Sequence, residues 1–251
     1  MAKQKGVIKV QGTLDDITFT KTKNGYQAAM KSSMNKNRLL SDPAFVRTRE
    51  NMSEFGRAGK AGKVLRKALR NLVQQCKDKA LTSRMLKNMM VVVKADDTST
   101  RGQRNVIDGE TELLKSFEFN VNATLEGCLF APYTGVIDRV TGVNTISIPS
   151  FVPRLNIVAP EGSTHYKIVS AATSIDFSAE VFETTESATA VLPLDDAPTV
   201  AINHTNNLPA NSTHPLFLAL GVQFFQQVNG IDYPLKNGAF NALSLVEVSG
   251  V

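Results

Sequence analysis

From Gly6 to Lys31 apolar and polar residues alternate. "GVIKVQG" and "DITFTKTKNGYQAAM" carry the period of two expected of strands, and Asn24-Gly25 offers the left-handed positions of a tight hairpin turn. An N-terminal β-hairpin over residues 1–35 is the expectation. The polar run "KSSMNKNRLLS" has no period and reads as a linker.

The pattern then changes to steps of three and four. Phe45, Met52, Phe55, Ala58, Ala61, Leu65, Leu69, Leu72 and Cys76 form one apolar stripe, with Asp42 as cap and Pro43 as first helical residue. A second helix, roughly Thr82 to Ala95, places Met85, Leu86, Met89, Met90 and Val93 on one side, with Thr82 or Ser83 as its cap. After the loop "DDTSTRGQRNVIDG" the chain reads as strands and turns. The segments are "SFEFNVNATL", "GVIDRVTGVNTISIPSF", "HYKIVSAATSIDF", "VFETTESATAVLPL", "PTVAINHTNN", "LFLALGVQFFQQVNGIDYPL" and "AFNALSLVEVSG". Turn signals stand at Thr141-Gly142, Asn229-Gly230 and Asn237-Gly238. The predicted fold class is α+β: an N-terminal β-hairpin, a basic helical segment over 36–113, and an antiparallel β-sandwich over 114–251 whose alternation implies one wet face.

Charge sharpens this division. The net charge of the 251 residues is +5, yet residues 1–127 hold 24 Lys and Arg against 13 Asp and Glu, and residues 128–251 hold 4 against 10. Such a split suits an anionic partner of the basic half, or copies meeting head to tail through opposite faces; two solvated faces are the plain alternative. Arg57, Lys60, Lys63, Lys67 and Arg70 mark the basic side of the first helix and are the candidate contacts for a neighbouring copy or a nucleic acid.

Within that helix Gly56, Gly59 and Gly62 recur every third residue in "EFGRAGKAGKVLRKALR". A phosphate loop needs Ser or Thr after its Lys, and here Val64 follows Lys63 without a preceding strand. Three glycines inside a helix cost about 1 kcal/mol each against Ala. The row therefore reads as a kink, or as a face where another backbone approaches, and not as a nucleotide cradle.

Candidate chemistry is sparse. His165, His204 and His214 lie in or beside β segments with no carboxylate at ligand spacing, Asp195-Asp196 reads as a turn, and no GxSxG elbow is present. Cys76 and Cys128 stand in no CxxC and read as small buried hydrophobes. No stretch approaches the ~20 apolar residues of a membrane span, and "MAKQKGVIKVQG" lacks the apolar run of a signal peptide. Cytoplasmic synthesis, no cofactor, no metal and no catalytic residue are expected. Asn122, Asn203 and Asn211 match the glycosylation pattern without a secretory context.

"MAKQKGVIKVQGTLDDITFTKTKNGY", "DPAFVRTRENMSEFGRAGKAGKVLRKALR" and "TSTRGQRNVIDGE" resemble a family of proteins from Bacteroidota bacteria and their phages or other mobile elements. The resemblance runs nearly end to end. It departs after the first hairpin, where relatives carry a charged, glycine-containing segment and this chain has "QAAMKSSMNKN". No activity comes with the family, so the resemblance implies no catalytic residue.

The reading that unites these features is a structural self-assembling protein, a virion, phage-related or filament subunit. Its partners are copies of itself and other virion or assembly proteins, and its place is a virion or other large assembly. The alternative is a nucleic-acid binder using the basic helical segment, where Lys36 to Lys94 holds 15 Lys and Arg against 4 Asp and Glu. Against it, no aromatic residue interleaves with the basic face. Whether the hairpin pairs within or between chains is open at this level.

Overall fold

The computed structural model describes residues 2–23, 25–30 and 36–251, which form two compact units, Met1–Arg49 and Glu50–Val251. The first unit begins with strands β1 (Ala2–Lys3), β2 (Gly12–Leu14), β3 (Ile17–Thr22) and β4 (Gly25–Met30), paired antiparallel in the order β1-β4-β3-β2. The predicted hairpin is thus the β3–β4 part of a four-stranded sheet; Asn24 of its turn lies outside the described residues, as do linker residues 31–35. "GVIKVQG" is not a strand. Val7, Ile8 and Val10 stand exposed before β2, and the alternation there meets no neighbouring strand. Helix α1 (Lys36–Ser41) follows, then a 3-10 turn over Pro43–Phe45 in which the Asp42 carboxylate accepts from the Ala44 N–H. Within this unit no described side chain is buried.

The second unit is built in three layers. Helices α2 (Val46–Ala68, whose first turn crosses the division), α3 (Arg70–Gln74) and α4 (Leu81–Ala95) form one outer layer. After the loop come short α5 (Leu125–Cys128), strands β5 (Thr134–Ile137) and β6 (Val143–Ile148), and α6 (Pro153–Asn156). The remaining strands are β7 (His165–Asp176), β8 (Val181–Ala188), β9 (Leu192–Pro193), β10 (Ile202–Asn207), β11 (Leu216–Val228), β12 (Ile231–Pro234) and β13 (Ala242–Ser249). The central sheet runs β12-β11-β7-β8, with β13 also on β11 and β9 on β7; a three-stranded sheet β10-β6-β5 forms the other outer layer.

Strand faces decide which core each residue joins. Val169, Ala171 and Ile175 of β7, Phe217 and Ala219 of β11, and Leu243 and Leu245 of β13 pack with Ala58, Leu65, Met85 and Met89 of the helices. Their neighbours Ile168, Ala172, Leu216, Leu218, Leu220 and Val222 pack with Ile146, Ile148 and Ile202 of the outer sheet. Strands β7 and β11 are therefore buried on both faces, which corrects the expectation of a wet face: the near-continuous apolar runs "LFLALGV" and "IVSAA" belong to a covered central layer. Only β6 and β10 alternate as a layer with one wet face does. Helices and sheet share one core, so the expected boundary at residue 113 falls inside a single unit.

Other departures are local. "SFEFNVNATL" forms no strand beyond one isolated bridge, Glu118 to Ser244; a few backbone bonds tie Ser116, Phe117 and Phe119 to β13, and Asn120 donates its side-chain amide to the carbonyls of Ala239 and Asn241. Thr82 and Ser83 cap nothing; Asp78 accepts from the Ala80 N–H just before α4. Asn229-Gly230 forms the turn between β11 and β12, both residues at positive φ, and Gly142 at φ +76° serves the β5–β6 turn; Asn237-Gly238 instead closes a 3-10 turn.

The glycine row does not kink α2, which is continuous through it. Gly56 is exposed with open space around it, and a Cβ on Gly59 would meet only Leu86 Cδ1 at 3.9 Å, an ordinary contact. Gly62 alone is tight: its Cβ would stand 2.9 Å from Met85 Cγ and 3.5 Å from Met89 Cγ of α4. Gly62→Leu is expected to lower stability by roughly 1–3 kcal/mol through overpacking, despite better helix propensity, while Gly59→Leu is neutral or stabilising. Thermal midpoints of the two variants check this, and a Gly62→Leu protein as stable as the wild type would refute the close approach.

Candidate functional site

The inward row of α2, Ala58, Ala61, Val64, Leu65 and Ala68, fixes which side chains face water. Lys60, Lys63 and Lys67 lie on the opposite side at steps of three and four, and Arg70 begins α3; all four are exposed. On α4, Lys87 and Lys94, seven residues apart, are exposed in the same way. None of these six side chains makes an ion pair among the described residues. Arg57 does not belong with them. Its guanidinium donates to the carbonyls of Gly102 (2.7 Å) and Arg104 (3.1 Å) and to Gln103 Oε1 (2.9 Å), so it holds the loop after α4. Arg66 is also committed, donating to Gly62 O and to Thr82 Oγ1 across the helix pair.

That loop is anchored by charges the sequence pattern does not reveal. Glu54, buried in α2, accepts from Arg104 Nε (2.8 Å) and Nη2 (2.9 Å) and from the Gly102 N–H (2.8 Å). The Arg104 bonds hold the Glu54 carboxyl below its usual range, outweighing burial. Burial alone would raise Asp96, yet hydrogen bonds from Ser99 N–H, Asn105 N–H and Thr98 hold it well below the carboxylate range.

A second feature is the face of the N-terminal sheet. Leu14 pairs with Ile17, Ile17 with Met30, Phe19 with Ala28 and Ala28 with Ala2, and directly opposed residues share a face. One side thus carries Ala2, Gly12, Leu14, Ile17, Phe19, Ala28 and Met30, with Lys21 and Tyr26 at its end; the other carries Lys3, Thr13, Thr18, Thr20, Thr22, Gln27 and Ala29. Leu14 is 71%, Ile17 44% and Met30 82% exposed. Tyr26, at one end of the apolar side, lies under Lys9 and Lys21.

A cavity of about 540 Å³ is lined by Lys115, Glu118, Glu126, Tyr133, Ser244 and Glu247 among others. Burial pushes the Glu118 carboxyl up to about 7, against the opposing bond from the Leu125 N–H. The folded state therefore holds a proton on Glu118 that the unfolded chain has released, and this group's contribution to stability declines as pH rises from about 4.5 to about 7. Glu118→Gln is expected to be more stable than the wild type above pH 7 by about 1–2 kcal/mol, cavity solvent having reduced the about 1.4 kcal/mol that each pKa unit represents, and equal to it near pH 4.5. Denaturant melts of both proteins across pH test this through their difference, because His204, kept neutral by burial, acts with opposite sign over part of the window. A difference that does not grow with pH would contradict it.

His165 and His214 are half-exposed, while the other reactive groups are enclosed. Ser170 Oγ and His204 Nδ1 lie 2.8 Å apart, and both residues are buried between the two sheets. Burial pushes the Cys76 thiol up to about 12 and that of Cys128 up to about 11, far from thiolate chemistry. No group of His, Cys, Asp and Glu among the described residues is arranged to hold a metal, and no described helix is long and apolar enough to cross a membrane.

No protein-family model, curated protein or solved structure matches this chain. Two surfaces stand out among the described residues, the solvent side of the helices and the apolar side of the first sheet. Of the eight residues singled out from sequence, Lys60, Lys63, Lys67 and Arg70 share the solvent side of the helices, Gly62 is a packing position, Arg57 a loop anchor, and Gly56 and Gly59 face little. The apolar face of the first sheet escapes sequence reading in its extent because β1 and β2 are too short to show a period.

Proposed function

We propose that the protein is a structural subunit that assembles with copies of itself, in the setting of a virion, phage-related particle or filament. The observation that carries this reading is the apolar side of the N-terminal sheet. Its six apolar residues find no buried position within their own unit. A small sheet gains independent stability only when such a face is covered, and an exposed apolar face rimmed by polar residues marks an interaction site.

A neighbouring copy offers a fitting partner. Residues 1–30 are rich in lysine, with Lys3, Lys5, Lys9, Lys21 and Lys23 against Asp15 and Asp16, whereas residues 168–235 contain no Lys or Arg and seven acidic residues. Strand β8, at an edge of the central sheet, presents Glu183 and Glu186 with Val181 and Phe182 exposed beside them. Docking the basic, apolar sheet of one copy on the acidic edge of the next makes a heterologous contact, which closes into a ring or continues as a filament. Solution mass and negative-stain microscopy of the purified protein test the reading. Rings, tubes or filaments are expected; a 27.3 kDa monomer at every concentration would overturn it.

A further inference from the structure

Residues 55–95 contain eleven Lys and Arg and a single acidic residue, Asp78. The fold disposes of that acid and of the arginines that point inward. Asp78 is buried against Arg84, while Arg57 and Arg66 bind backbone carbonyls and Thr82. Eight cations remain, Lys60, Lys63, Lys67, Arg70, Lys77, Lys79, Lys87 and Lys94, all exposed. Six of them lie on the helices that form one outer layer of the body.

This is an unusual surface for a soluble helix pair. Exposed helices commonly set Glu four residues from Lys, which stabilises each pair by about 0.2–0.5 kcal/mol, and like charges at the same spacing cost as much. Lys60, Lys63 and Lys67 repel one another at those spacings, α4 carries no acidic residue, and the one acidic side chain of α2 beyond Glu50 is Glu54, which is buried on Arg104. The three lysines rise about 10 Å along the helix axis, a charge every ~5 Å, comparable to the ~3.4 Å per phosphate along one strand of a duplex. From Arg57 to Lys94 there is no aromatic residue, so the basic row itself offers no stacking platform for unpaired bases.

We infer that the outer face of the helical layer binds the phosphate backbone of a nucleic acid without reading its sequence. Lys60, Lys63, Lys67 and Arg70 form the central row, with Lys87 and Lys94 on the neighbouring helix. The inference stands apart from self-assembly, which was argued from the N-terminal sheet.

The test is binding of the full chain to random-sequence duplex DNA between about 50 and 200 mM salt, comparing wild type with a variant carrying Lys60→Gln, Lys63→Gln, Lys67→Gln and Arg70→Gln. The wild type should bind with a steep salt dependence, and the variant should lose affinity with a slope flatter by about 0.9 for each contact removed, roughly 3–4 in total. A second variant with Lys60→Arg, Lys63→Arg and Lys67→Arg should keep both affinity and slope. A third with Lys3→Gln, Lys5→Gln and Lys23→Gln, on the other unit, should keep most of the affinity. The inference is overturned if the wild type does not bind at low salt, or if the third variant loses as much as the first. It is also overturned if the first variant binds DNA normally but fails to self-associate, which would give this face to the acidic surface of a second copy.

Discussion

Replacing Ile17 and Phe19 together with glutamate is expected to dissociate the proposed assembly into folded monomers. The two residues lie on one side of β3, where register places Met30, Ala28 and Leu14 beside them. Covering a Phe or Ile side chain contributes about 1.5–3 kcal/mol each, and burying two carboxylates without partners costs more than is lost by simple truncation. At about 1.4 kcal/mol per factor of ten, the double change weakens association at least about a hundredfold. Thr18→Glu with Thr20→Glu, which add the same charge to the opposite side of the same strand, should leave association within about tenfold of the wild type. The body should keep its thermal midpoint in both, because its core draws only on residues from Ala58 onward. Sedimentation at several concentrations reads the outcome. An assembly that survives the apolar-side change, or is lost equally with the threonine-side change, means that this face is not the contact.

The second large effect is expected at Glu54. Its carboxylate is 1% exposed and receives two bonds from Arg104 and one from the Gly102 N–H, while Arg57 grips the same loop through two carbonyls. Glu54→Ala leaves the Arg104 guanidinium, 20% exposed, without its partner and an amide without an acceptor. Removing one member of a buried pair costs about 3–5 kcal/mol, and partial exposure of Arg104 brings the expectation to about 2–4 kcal/mol. Chemical denaturation should show this as a lower midpoint with faster proteolysis between Asp96 and Glu110. Arg104→Met in the Glu54→Leu background should recover a substantial part of the loss, since replacing both partners by apolar groups leaves no orphaned charge. A Glu54→Ala protein of wild-type stability would show that the pair contributes nothing net.

What sequence makes legible here is what local chemistry dictates. Asp42 and Pro43 open a helical run, Asn229-Gly230 turns a hairpin, and the steps of three and four from Ala58 to Cys76 mark a buried row. The same steps mislead at Met52 and Phe55, which stay 54% and 56% exposed because the core beneath α2 begins at Ala58. "SFEFNVNATL" keeps its period of two, with Phe117 and Phe119 both buried, but its backbone bonds to Leu243 and Leu245 of β13 are too few to extend a strand, and Asn120 adds side-chain bonds at its end. Of the basic residues, pattern alone cannot separate Lys63, which faces water, from Arg57, whose partners lie more than forty residues downstream. Long-range pairing of this kind has no local signature. The three-layer order is hidden for the same reason: β7 and β11 reveal that they are covered twice only when both neighbours are in place.

The order of the layers along the chain has a kinetic consequence. The helical layer comes before the central sheet in sequence, but Val169, Ala171, Phe217, Ala219, Leu243 and Leu245, against which it packs, arrive with β7, β11 and β13. Nearly every stabilising contact of α2 and α4 with that sheet therefore closes a large loop, and topologies dominated by such distant pairings fold in milliseconds to seconds rather than microseconds. During synthesis, Leu65, Leu69, Met85 and Met89 emerge with only the partner helix to cover them. Until the sheet is made the pair leaves apolar surface uncovered, and its dense positive charge opposes association with like chains.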